Sequence, residues 1–169
     1  SPSQPSNWYS LGPVPLGLYA PPGEVVTVRL STDVPGASVR VGELHDELDG
    51  LDDVTTWERA PLTYRTFAVT ARELEVGSPL GGTLYLDLPE SDVTAGVIDV
   101  EVSGAVRQPL WVSGRTTPAE WLTARTLPAP QAILELPGKV RLSVRTSSLR
   151  AEDDPAAIMT YWGGFYDSH

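Results

Sequence analysis

Leu84-Tyr85-Leu86-Asp87-Leu88 carries leucine at every second position, with Tyr85 and Asp87 between. A pleated strand sends successive side chains to opposite faces, so the run reads as a half-buried strand with its leucines inward. Tyr85 then sits on the outward phase, where exposure is expected. The same period recurs on both sides. Val26, Val28 and Leu30 alternate with Thr27 and Arg29, and Val39 and Val41 flank Arg40. Ile98, Val100 and Val102 alternate with Asp99 and Glu101, and Val140, Leu142 and Val144 with Arg141 and Ser143. One apolar and one charged face is the antiparallel pattern.

Two further stretches fit less well. Leu62 and Tyr64 are out of phase with Phe67 and Val69, which suggests a bulge. Pro109 interrupts Ala105 to Val112, so an edge strand or a kink is expected there. Helix signals are few. Thr117-Pro118-Ala119-Glu120 is a capping box with proline at the first helical position, opening a short helix that ends before Pro128. Asp154-Pro155 opens a second helix, which Gly163-Gly164 is expected to weaken.

With 15 Gly and 16 Pro in 169 residues, the chain has the punctuation of many short strands rather than of a helical bundle. The expected fold is all-β: a β-sandwich, jelly-roll-like, of about seven to eight antiparallel strands with two short helices. The expected division is an irregular, linker-like segment over 1–16, the sandwich over 17–150, and a C-terminal helical segment over 151–169. Residues 1–22 as a whole read as mostly irregular.

The net charge of −10 argues against nucleic acid and against docking on anionic lipid. No run of about 18 apolar residues is present, so no membrane span is expected. No signal peptide opens the sequence. With no cysteine, disulfides, thiolate metal sites and a cysteine nucleophile are excluded.

Zinc hydrolysis needs closely spaced imidazoles and a carboxylate base, as in HExxH. The only histidines are His45 and His169, and neither lies in such a motif. Around His45, the carboxylates Asp46, Asp49, Asp52 and Asp53 read first as a solvated acidic loop, with calcium the better ion if one binds. Ser103 and Ser113 lack a nucleophile elbow, and Gly81-Gly82 precedes a strand rather than a helix, unlike a phosphate loop. No catalytic residue, metal ligand or cofactor is therefore assigned to this chain. Trp111 and Trp121 read as core. Trp57, Arg59 and Tyr85 are the candidate binding residues, because exposed aromatics stack on sugar rings.

Several segments, in order, resemble the N-terminal part of enhancin-like zinc metallopeptidases (peptidase family M sixty). They are Gly17 to Glu24, Val41-Gly42 with His45-Asp46, Trp57 to Pro61, Ser78 to Tyr85, Ser103 to Val106, Gln108 to Trp111, Thr117 to Arg125, Pro128 to Pro130 and Asp153 to Pro155. The resemblance implies a β-sandwich preceding a catalytic domain that carries the zinc ligands. It also implies a secreted or cell-surface parent acting on glycoproteins such as mucins, with this module supporting or positioning the catalytic domain. That domain, absent from this sequence, would be the module's partner, and a glycan or glycoprotein the further one. The family has animal relatives that act as channel-associated factors. The other reading is a stand-alone carbohydrate-binding β-sandwich.

Overall fold

The computed structural model describes residues 12–43, 63–89 and 97–167. The described residues fold as a mostly β protein of eleven strands in three sheets, with two helices. Eight strands form the sandwich. β1 (Val14–Ala20), β3 (Ser38–Val41), β4 (Arg65–Ala68), β6 (Gly82–Asp87) and β8 (Val106–Arg107) make a five-stranded sheet in the order β4-β3-β6-β1-β8. Against it lies the sheet β5-β2-β7, built from β5 (Glu73–Val76), β2 (Val26–Leu30) and β7 (Val100–Ser103).

Their facing side chains make an aliphatic core. Val26, Val28 and Leu30 of β2 meet Val39 and Val41 of β3 and Leu84 and Leu86 of β6, all buried. These are the inward residues of the sequence alternation, and burying each contributes roughly 1.5–3 kcal/mol. β1 lies within the segment read as irregular. Its hydrophobic period is masked by prolines, and its register against β6 shifts between Pro15 and Tyr19. The bulge expected between Leu62 and Val69 does not occur in β4, which pairs with β3 in continuous register from Arg65 to Ala68.

Pro109 marks a change of sheet. β8 ends at Arg107 on the edge of the five-stranded sheet, and β9 (Leu110–Val112) begins a third sheet of order β11-β10-β9. β10 (Gln131–Leu136) runs parallel to β9 and antiparallel to β11 (Val140–Arg145). β10 was not evident from alternation because it is buried on both faces. Ala132 and Leu134 face the helices, while Ile133 and Glu135 point the other way and are also buried. A strand buried on both faces loses the period-two signal.

The helices cover one face of this third sheet. In α1 (Pro118–Ala124) the capping box forms as expected: Thr117 Oγ1 accepts from the Glu120 amide, and the Glu120 carboxylate accepts from the Thr117 amide at 2.8 Å. Trp111 and Trp121, each 5% exposed, pack with Ala132, Leu134 and Met159 in a second core. In α2 (Pro155–Asp167) the Asp154 carboxylate accepts from the Ala156 amide at 2.9 Å. The helix continues through Gly163-Gly164. A Cβ on Gly163 would lie 2.5 Å from Leu136 Cδ2, so the missing side chain allows helix and sheet to approach. Lys139 and Asp167 pair at 2.6 Å and tie the helix end to the β10–β11 turn.

Candidate functional site

The outward face of the five-stranded sheet is only partly open to solvent. The second face of the β10–β11 sheet lies over part of it, and a cleft of about 610 Å³ opens between them. Arg40 of β3 and Tyr85 of β6 are cross-strand partners on this face. The Arg40 guanidinium lies 4.8 Å from the Tyr85 ring centroid and 5.2 Å from that of Tyr64. Arg141 of β11 crosses from the third sheet, with its guanidinium 5.4 Å from the same Tyr85 ring. It also donates to Glu135 Oε1 at 2.8 Å and to the Pro13 carbonyl at 2.7 Å. One arginine therefore links both sheets and the start of β1.

Beside this stack runs a polar chain. Gln108 Nε2 donates to Thr83 Oγ1 at 2.8 Å, and the Thr83 hydroxyl donates to Glu43. Burial pushes the Tyr85 phenol well above the ordinary tyrosine range. The Glu43 carboxylate adds to the shift, and Arg141 and Arg40 oppose it. Tyr19 is raised for the same two reasons, burial first and then Glu43. Both phenols are neutral hydrogen-bonding groups at physiological pH.

Two glycines shape the rim. At Gly82 φ is +151°, and a Cβ there would lie 2.5 Å from the backbone N and Cα of Gly42. A Cβ on Gly42, at φ +102°, would lie 2.6 Å from the Thr63 carbonyl oxygen. Backbone touches backbone here, and only glycine fits both positions.

A second surface lies on α2. Pro155, Met159 and Gly163 form its buried stripe. Tyr161, 71% exposed, stands with Trp162, Phe165 and Tyr166, all exposed, and the last three line a groove with Val140 of β11. Trp162 meets Tyr161 and Phe165 edge to face at 5.8 and 6.0 Å. An aromatic cluster of this size facing solvent marks an interaction surface.

Of the binding residues expected from sequence, Trp57 and Arg59 lie outside the described residues, as does the loop from His45 to Asp53. Tyr85 requires a correction. It is on the outward phase as expected, yet only 2% exposed, because the third sheet and two arginines cover that phase. Sequence reasoning missed Arg40, Glu43 and Arg141 as neighbours. Alternation placed Arg40 and Arg141 on the polar faces of their strands, but nothing local signalled that those faces meet. Among the described residues no group of three His, Cys, Asp or Glu side chains could hold a metal ion. Among them, too, no helix is long and apolar enough to cross a membrane.

These elements define an all-β sandwich extended by a helix-covered sheet. The sequence model for the N-terminal domain of M60-like peptidases matches residues 6–103, and the chain belongs to that family. It is 28% identical over 150 residues to TRPM8 channel-associated factor 3 of Rattus norvegicus, a match covering 88% of this chain and 16% of that protein. Its fold resembles the ZmpB metallopeptidase of Clostridium perfringens, with a TM-score of 0.59 at 15% identity over 80% of this chain and 29% of that one. IMPa of Pseudomonas aeruginosa, solved in complex with an O-glycopeptide, matches with a TM-score of 0.59 at 19% identity over 98% of this chain and 20% of that one. The chain thus spans a minor fraction of each of these relatives.

Proposed function

We propose that this chain is a non-catalytic accessory module of a secreted zinc metallopeptidase acting on glycoproteins, and that α2 presents its aromatic face to the catalytic domain of the same parent. The observation that carries this reading is the exposed cluster Tyr161, Trp162, Phe165 and Tyr166 on a helix that is itself anchored to the second core by Met159. Family membership supports the kind of partner, since the matched domain is the N-terminal one of M60-like peptidases. The O-glycopeptide bound by IMPa supports a glycoprotein substrate for the parent. In this reading the sandwich is a rigid base, residues 151–169 lead toward the catalytic domain, and the zinc and its ligands belong to that domain.

The test is apolar-dye binding and sedimentation of the chain carrying Tyr161→Ser, Phe165→Ser and Tyr166→Ser together. The wild type should bind dye and self-associate with rising concentration. The triple variant should do so at least about fivefold less, with the β-sheet circular dichroism unchanged. Equal dye binding by both proteins would remove the docking role. The isolated, metal-replete chain should cleave neither casein nor mucin, and cleavage by it would overturn the non-catalytic assignment.

A further inference from the structure

We infer that the cleft between the five-stranded sheet and β10–β11 binds an acidic sugar, one or two rings in size, with the ligand's carboxylate on Arg40. The inference does not depend on the docking of α2. Its first support is charge. The chain carries −10 overall, yet among the described residues the cleft is lined by two guanidiniums, Arg40 and Arg141, and one carboxylate, Glu43. Arg141 is already engaged by Glu135 and the Pro13 carbonyl, whereas Arg40 makes no ion pair among the described residues. Tyr64 and Tyr85 hold the Arg40 guanidinium by stacking rather than by charge, which leaves its in-plane donors for a bidentate anion.

The second support is the remainder of the lining. Glu43 is an acceptor of the kind that fixes sugar hydroxyls, and Gln131 and Ser143 each donate and accept. Leu80, exposed at the rim, offers apolar surface to a ring face. An inorganic anion would use Arg40 but none of the hydroxyl partners, and a neutral sugar would leave Arg40 unmatched. A sugar carboxylate uses both sets. The volume of about 610 Å³ lies within the range of small-molecule sites, about 300–1,000 Å³. Sialic and uronic acids share this chemistry, and titration separates them.

The experiment is calorimetric and NMR titration of the chain with N-acetylneuraminic acid, glucuronic acid, galactose and acetate. At least one sugar acid should bind saturably, at least about tenfold more tightly than galactose or acetate, and more weakly as salt is raised. Arg40→Gln should weaken binding about tenfold or more. Ser143 is exposed, so Ser143→Trp should block the cleft without lowering the melting temperature, which keeps the test valid if Arg40→Gln unfolds the protein. No saturable response below about 10 mM for either sugar acid would overturn the inference. So would acetate binding as tightly as the sugar acids, or unchanged affinity in Ser143→Trp.

Discussion

The molecule has two cores of different character. Among the described residues, the fully buried part of the sandwich core is alanine, valine and leucine, whereas the core under the helices is built around Trp111, Trp121 and Met159. Two sheets facing each other about 10 Å apart are filled by short branched side chains that repeat along every strand. Two helices of different length lying on a three-stranded sheet leave irregular gaps, which large indoles and a flexible thioether fill. The family match, at residues 6–103, falls on the sandwich side of this divide. Between the two cores lies a polar layer, Arg40, Tyr85, Glu135 and Arg141, which holds the regions together and forms the cleft.

The sharpest way to break this comparison is to cut that layer. Glu135 is 1% exposed and paired with Arg141, so Glu135→Leu leaves a guanidinium without its carboxylate. Urea unfolding should show a loss of about 3–5 kcal/mol, and Glu135→Leu with Arg141→Met together should recover most of it. If indole fluorescence and β-sheet circular dichroism then shift by different amounts, the two regions unfold separately. Coincident shifts make them one cooperative unit.

Gly82→Ala acts on the sandwich side. It should cost about 2–3 kcal/mol in the same assay, because the new Cβ collides with Gly42 backbone that cannot yield. Thr117→Ala acts on the other side and should cost about 1 kcal/mol through loss of the capping box. If the regions are independent, only the fluorescence transition will move in that variant.

The pH dependence of Tyr85 gives a smaller effect. Its phenol is raised in the folded state, so the associated stability is complete below the unfolded value, about 10, and is lost as pH climbs through and beyond it. The melting temperature should fall above pH about 10, and Tyr85→Phe should flatten that fall. The smallest effect belongs to Arg72→Ala. Its partner Asp33 is held below the ordinary carboxylate range by that arginine, but both are solvated. The unfolding midpoint should not move measurably, while the NMR titration of Asp33 returns to the ordinary range.

Much of the sandwich was legible because its strands alternate an apolar phase with a polar one. Alternation in Val26 to Leu30, Val39 to Val41 and Leu84 to Leu88 reports which phase enters the aliphatic core. The capping box at Thr117 and the helix start at Asp154-Pro155 were equally local, since a few neighbouring residues satisfy the free amides of a first turn. β1 and β10 were not legible. Prolines break the pattern of the first, and burial on both faces erases it in the second. The glycine pairs stood out in the sequence, but their reason, contact between Gly82 and Gly42 backbones, is a matter of distance across two strands.

The all-β class, the inward residues of the sandwich and the wide spacing of the two imidazoles were readable from the residues without coordinates. These follow from local periodicity and composition, which no packing can change. Tertiary structure alone decided that the polar phase of β6 faces another sheet, that Tyr85 is buried between two arginines from distant strands, and that the α2 aromatics face outward. Those facts depend on which surfaces meet, and residues far apart along the chain carry no local mark of the neighbours they acquire on folding.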